Sequence, residues 1–413
     1  MRIGIFTDTY NPHINGVATS ILMLENALRK LGHQVFIVTV NPDELSYNFE
    51  NSDRIIRIPG IPTGIYDYRL SGIYPIKAVN KVKAWNLDII HSHTEFGIGA
   101  FARIMAKQLD IPLVHTYHTM YEDYVHYITK GYFDTPSKKI VEYITKFFCD
   151  KTTKELIVPT KKTYDLFKEK YKYDRNVHII PTGIEIEHFY RENTDKHNQD
   201  VIKMKYHLNS DDFIILFVGR IAEEKSVNFL IENHVSLVHK NKKAKLLIVG
   251  DGPDKEQLMK LAKKLKIENN VIFTGKVPWD EIGDYYNIAN VFTTASHTET
   301  QGLTVIEAMA ANLPVVALND EAFNTIVIND LNGYLFKDKK GYVKAMEKLM
   351  SDDELCLKLG AQARVNSDSY SSKYYAERVL DVYKIALDGR EVNEKRSFFD
   401  KAKDVVKRGF HGE

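Results

Sequence analysis

Apolar and polar positions along the chain switch repeatedly between two periods. Short continuous apolar runs bounded by turn residues predict strands, and segments with apolar positions every three to four residues predict amphipathic helices. In the first half the strand-like runs are RIGIFT (2–7), QVFIVTV (34–40), LDIIHSH (87–93) and IPLVHTYH (111–118). Helical ATSILMLENALRKLG (18–32) and FARIMAKQL (101–109) lie between them. Alternation of this kind predicts parallel strands joined by right-handed helical crossovers.

A second series begins at DFIILFVGR (212–220) and continues through AKLLIVGDG (244–252), NVIFTG (270–275), ANVFTTAS (289–296) and LPVVAL (313–318). It predicts a second parallel sheet. Pro181 and Gly183, in VHIIPTGIEIEHF, punctuate the chain where a hinge is wanted. The expected organisation is an α/β chain with domains at 1–185 and 186–387, helices near 340–350, 354–365 and 372–387, and a charged tail at 388–413. No internal repeat or low-complexity block interrupts this plan.

Length agrees with two domains, since 413 residues exceed what one core usually organises. Charge points to no partner: 56 Lys and Arg stand against 55 Asp and Glu, which argues against a nucleic-acid binder. The two cysteines, Cys149 and Cys356, have no zinc-site or disulfide spacing, as expected in a reducing cytoplasm. MRIGIFTDTY enters a strand at once, without the apolar core of a leader. No run approaches the roughly 20 apolar residues of a membrane span, so membrane contact is expected to be peripheral.

Ligands of open parallel sheets bind outside the carboxyl ends of the strands, at loops that feed helix N-termini. Gly219 ends a predicted strand and is followed by Arg220 and Lys225, two cations suited to a diphosphate although equally at home on a solvated surface. In SHTETQGLTVIEAMAANLPVVA (296–317), Glu299 precedes a predicted helix and Gly302 lies near its start. Backbone N–H groups from Thr300 through Gln301, Gly302 and Leu303 to Thr304 are then available to hydroxyl or phosphate oxygens. Glu307, in the first turns of that helix, suits a ribose diol, or serves simply as a stabilising charge.

Glu299 and Glu307 at this spacing, with GRIAEEKS (219–226), VGDGPDKEQL (249–258) and GKVPWDEI (275–282), resemble the retaining glycosyltransferases of family GT4. FTDTYNPHINGVATSILMLENALRKLGH (6–33) is similar to the acceptor-domain opening of that family, so the resemblance spans most of the chain. It implies the GT-B fold, two Rossmann-like domains facing across a cleft. It also implies that Arg220 and Lys225 hold the donor diphosphate, Glu307 the ribose, and Glu299 the hydroxyls of the transferred sugar. Gly16, in NGV, would admit the diphosphate close to the backbone; by itself such a glycine equally forms a turn. GKVPWDEI, with Val277, would face the base through its backbone.

His118, after the strand in HTYHTMYEDY, matches the family's histidine near the sugar and leaving group. His91, His93 and His115 nearby raise the alternative of a metal cluster, but they lack a convincing closed ligand set. No Asp-x-Asp triplet occurs to anchor a divalent ion. The expectation is no metal and no cofactor, with Arg220, Lys225 and a helix N-terminus carrying the electrostatics. Retention is expected by front-face transfer, since spacing marks no carboxylate as a covalent nucleophile.

Two stretches depart from the family pattern. Thr300-Gln301-Gly302-Leu303 stands where many relatives carry Phe-Gly, and Asn319, Asp320 and Glu321 where relatives often show a glycine pair. TETQGLT resembles the diacylglycerol glucosyltransferase subset, which makes bacterial membrane glucolipids and lipoteichoic acid anchors. The implied reaction moves glucose from UDP-glucose to diacylglycerol at the inner face of the cell membrane, on an anionic surface. A glycolipid or soluble acceptor is the alternative.

Two segments suggest docking on lipid. Residues 137–173 mix lysines with Tyr143, Phe147, Phe148, Tyr164, Phe167, Tyr171 and Tyr173, and the tail sets Phe398, Phe399, Ala402, Val405, Val406 and Phe410 along one stripe. Packing of both stripes against the protein is the competing explanation. Among other functions, a dehydrogenase is disfavoured because no acid follows the strand after GIGAFA (97–102). A nucleotide-sugar epimerase, a phosphorylase or a non-catalytic sugar-nucleotide binder shares the architecture, because fold does not fix reaction.

Overall fold

The computed structural model describes residues 1–12, 15–49, 54–62, 69–118, 153–297, 299 and 301–389. Two compact units emerge, Ile184–Tyr374 and a unit formed by Met1–Gly183 with the chain from Tyr375 onward.

The strands of the first unit are β1 (Arg2–Phe6), β2 (Gln34–Val40), β3 (Asn48–Phe49), β4 (Ile55–Ile58), β5 (Gly60–Pro62), β6 (Arg69–Ser71), β7 (Ile89–Ser92), β8 (Leu113–Thr116), β9 (Glu155–Val158) and β10 (Val177–Ile179). Its sheet runs β10-β9-β8-β7-β1-β2-β4-β3, parallel except for β3, while β5 and β6 form a separate hairpin. Strand order reverses between β1 and β7. Helix Gly16–Lys30 contributes Ile21, Leu24 and Leu28 to one apolar layer; helix Gly97–Leu109 contributes Phe101, Ala102 and Met105 to another.

The second unit contains β11 (Phe213–Val218), β12 (Ala244–Val249), β13 (Val271–Gly275), β14 (Val291–Thr294), β15 (Val315–Leu318) and β16 (Gly333–Phe336). Its all-parallel sheet runs β13-β12-β11-β14-β15-β16, the doubly wound order 3-2-1-4-5-6. Alternate residues of β11 explain the two layers: Ile214 and Leu216 enter one apolar cluster, Phe213, Ile215 and Phe217 the other.

The last helix, residues 372–389, departs from the expected boundary at 387. Its buried Tyr375, Ala376, Val379, Leu380, Tyr383 and Ala386 recur at helical spacing in the same cluster as Ile3, Ile5, Ile21 and Leu24. Apolar burial therefore assigns this helix to the first unit, although it follows the second in the chain. Ile184 and Ser371 pair where the two strands of chain leave the second unit, with Ile184 N–H donating to Tyr370 O and Ser372 N–H to Ile184 O.

The docking expectation for 137–173 is corrected over its described part. Phe167, Tyr171 and Tyr173 are buried in a cluster with Tyr117, Leu156 and Val158, so they fill a core and do not face a lipid. Tyr143, Phe147 and Phe148, like the tail residues, lie outside the described residues. No described helix is long and apolar enough to cross a membrane.

Candidate active site

Two of the residues marked in the second half, Lys225 and Glu299, meet at the switch point of its sheet. Lys225 ends a single 3₁₀ turn, Glu223–Lys225, after β11, and Glu299 lies after β14. The Lys225 ammonium pairs with the Glu299 carboxylate, each with about one-fifth of its side chain exposed. Ser296 O–H and His297 N–H both donate to Glu224 O, at 3.4 Å, tying the two loops together.

Two glycines hold the β12 loop on the β11 loop. A Cβ on Gly250 would lie 1.9 Å from Gly219 O, and one on Gly252 2.1 Å from Ile221 O. Close approach allows Gly219 N–H to reach Val249 O and Ile221 N–H to reach Asp251 O, each at 3.0 Å. The result is a braced platform on which Arg220 is exposed.

Helix Leu303–Ala310 begins at Gly302, whose φ of +72° is the left-handed conformation that glycine favours. A Cβ there would also lie 2.4 Å from the Phe323 ring. Gly302 at the N-cap brings no side chain to this helix, and no acid occupies its first turn, which suits its N-terminus to a ligand's oxygens. Gln301 is buried, while Leu303 and Thr304 are half-buried on the first turn. Thr300 lies outside the described residues. Val277 is half-buried and packs on the core, leaving its backbone as the part suited to a base.

Glu307 is half-buried, and Tyr286 O–H donates to its Oε2 at 2.6 Å. Burial pushes the Glu307 carboxyl up to about 7, and the Tyr286 bond opposes that rise. One carboxylate oxygen is thus already held. Tyr286 was not singled out from sequence: it is brought in by helix Ile282–Asn287, and no spacing rule links 286 to 307.

In the first unit, β7 and β8 pair with Ser92 beside His115. Period-two alternation places His91, His93, Thr116 and His118 on one face and His115 on the other. His91 bonds Tyr383 Oη at 2.6 Å through Nδ1 and Thr116 Oγ1 at 2.7 Å through Nε2. His93 Nδ1 meets His118 Nε2 at 2.8 Å, with the rings stacked at 5.1 Å between centroids. His115 Nε2 lies 3.0 Å from Glu95 Oε1. Burial holds His118 down at about 4 and lowers the other three, so all four are neutral at neutral pH.

The bonded nitrogens thus engage side chains one by one and do not face a common centre. Among the described residues, no three His, Cys, Asp or Glu groups converge as a metal site. Asp8, after β1, accepts from Thr94 O–H and from Ile98 N–H at 3.1 Å; burial, reinforced by the charge of Glu95, raises it to about 6. Gly16 is the first residue of its helix, capped by Asn15, whose Oδ1 accepts from Ala18 N–H. Among the described residues, a Cβ on Gly16 would meet nothing within 4 Å, so none of them demands glycine there.

Residues 14–188 match Glycosyltransferase Family 4, and residues 198–366 match Glycosyl transferases group 1. An alpha-monoglucosyldiacylglycerol synthase of Acholeplasma laidlawii is 36% identical, over 96% of this chain and all of that protein. A protein of the same name from Streptococcus pneumoniae is 38% identical over 81% of this chain and 75% of its own length. Among solved structures, sucrose-phosphate synthase of Thermosynechococcus elongatus shares the fold at a TM-score of 0.71, with 19% identity over 94% of this chain and 99% of that one. Anabaena HepE in complex with UDP does so at 0.68, with 14% identity over 93% of this chain and 100% of that one. Two Rossmann-like units, matched in order by both halves of the family, establish that this chain is a GT-B glycosyltransferase of family 4.

Proposed function

We propose that the enzyme transfers glucose from UDP-glucose to diacylglycerol with retention, forming alpha-monoglucosyldiacylglycerol. The observation that carries the donor half is the grouping of Lys225, Glu299 and the Leu303–Ala310 helix at one switch point. The names of the two relatives support the acceptor. A glycolipid taking a second sugar is the alternative acceptor.

In this account Arg220, Lys225 and the helix N-terminus hold the diphosphate, Glu307 the ribose through its remaining oxygen, and Glu299 the glucose hydroxyls. Glucose C1 separates from the β-phosphate oxygen as UDP leaves. The diacylglycerol hydroxyl oxygen bonds C1 on the same face and passes its proton to that phosphate oxygen. Cationic groups preorganised where charge develops on the leaving phosphate supply the main stabilisation. His118, neutral, contributes a hydrogen bond to the sugar or the phosphate and no charge.

The lipid acceptor calls for a membrane-facing surface, and exposed apolar residues of the first unit support one. Ile61 and Leu70, cross-strand partners in the β5–β6 hairpin, are 68% and 52% exposed; Ile73 and Ile76, just beyond it, are 61% and 72% exposed. From Arg69 to Leu87 the chain carries Arg69, Lys77, Lys81 and Lys83 and no acid, a match for anionic headgroups. We infer peripheral docking of this surface on the inner face of the membrane, with the 390–413 tail as a second contact. The experiment is turnover of UDP-glucose, UDP-galactose and GDP-mannose on vesicles containing diacylglycerol or glucosyl-diacylglycerol, read by product mass. A monoglucosyl product made from UDP-glucose and diacylglycerol is expected; activity confined to the glycolipid vesicles would replace this acceptor with the alternative.

A further inference from the structure

We infer that His93 is the positioning residue of His118: the ring-to-ring hydrogen bond fixes His118 as the tautomer that carries its proton on Nδ1. The inference rests on the role given above to His118, and assigns it a direction. His118 becomes a hydrogen-bond donor toward the ligand, not a base.

A neutral imidazole has one N–H, so the His93 Nδ1 to His118 Nε2 contact of 2.8 Å holds one proton between two rings. Burial keeps both rings neutral, so each carries a single proton. At 2.8 Å two facing N–H groups or two facing lone pairs repel, so one ring donates and the other accepts. Two arrangements remain, and they differ at the far nitrogen of His93.

If His118 Nε2–H donates, His93 must carry its own proton on Nε2. That atom is buried and has no hydrogen-bond partner among the described residues. A buried orphan N–H is among the rarest defects of folded proteins, and a bare acceptor is tolerated more often. The favoured arrangement is therefore His93 Nδ1–H donating to His118 Nε2, with a bare lone pair left at His93 Nε2. His118 then has its proton on Nδ1.

Neighbouring groups hold His93 in place for this task. Its ring lies 4.0 Å from that of His91, whose two nitrogens are engaged by Tyr383 and Thr116. Only 1% of His93 is exposed, whereas His118 is half-buried at the rim of the face. His93 thus does not meet solvent or substrate and acts through His118. Tyr383 extends the support to the last helix, a contact between residues 292 positions apart that no local pattern encodes.

The test combines spectroscopy on the wild type with two variants. In full-length protein carrying 15N-histidine, long-range proton–nitrogen correlations at pH 7.5 should show His93 and His118 both protonated on Nδ1; a proton on His118 Nε2 would overturn the proposal. His93→Asn keeps a donor near the Nδ1 position and should retain turnover within about threefold. His93→Leu removes the donor and should lower kcat by about tenfold, the scale of one net hydrogen bond, with little change in KM for UDP-glucose. Equal losses in two variants that unfold at the wild-type temperature would make His93 a packing residue. If the wild type glucosylates no diacylglycerol, the acceptor assignment fails, while the tautomer measurement still decides the role of His93.

Discussion

Glu299 and Lys225 face each other before any donor arrives, so the lysine's charge is neutralised by the carboxylate that the account assigns to the sugar. Donor binding must redirect both groups, the ammonium to the diphosphate and the carboxylate to glucose hydroxyls. Glu299→Ala should accordingly cut transfer by about a hundredfold or more, while UDP binds as well as to the wild type or better. Titration calorimetry with UDP and a turnover assay check the two halves separately; near-normal turnover would remove Glu299 from the sugar site. Glu307 makes a pH prediction. Its carboxyl rises from 4.5 to about 7 in the folded protein, so folding favours the protonated form. Its penalty on stability grows as pH rises from the unfolded value through about 7. Glu307→Gln removes the titration, and the melting temperature of the wild type should therefore fall relative to the variant between about pH 5 and 7. Parallel melting curves across that window would contradict the assignment.

At the scale of elements, the conformation of Gly302 sets how the Leu303–Ala310 helix begins. Gly302→Ala forces a left-handed non-glycine residue against Phe323, at a cost on the order of 1–3 kcal/mol for the backbone alone. Thermal unfolding should move down, and UDP affinity should fall with it; an unchanged melting temperature would show that the turn relaxes freely. Much of this layout was legible in the sequence, because parallel strands buried on both faces leave continuous apolar runs and their loops carry the charged residues. RIGIFT, DFIILFVGR and LPVVAL all contain strands where the apolar pattern indicates. Strands β3 to β6, β9, β10 and β16 were missed, being two to four residues long with too few positions to establish a period. Tyr286 beside Glu307 and His93 beside His118 were illegible for another reason. Their partners come from separate strands or helices, and only sheet topology brings them together. The last helix likewise shows an apolar stripe in sequence, but the stripe does not say which unit it will cover.

On the proposed reaction, the whole molecule meets both a water-soluble nucleotide sugar and an acceptor that stays in the bilayer. With net charge near zero, the proposed docking draws on a local surface and not on global charge. Replacing both Ile73 and Ile76 by Asp should weaken binding to anionic vesicles by about tenfold or more, since two fully inserted side chains carry roughly 1.5–3 kcal/mol each, and leave UDP binding unchanged. Truncation from Arg390 should weaken vesicle binding in the same direction; whichever change leaves vesicle flotation intact removes that surface from the docking account. The most direct test of the central claim is the product itself. Wild-type enzyme, UDP-glucose labelled with 13C at C1 and vesicles containing diacylglycerol should yield a monoglucosyl lipid whose one-bond carbon–proton coupling marks an alpha anomeric carbon. A beta product, or nucleotide release with no glucosylated diacylglycerol, would contradict it.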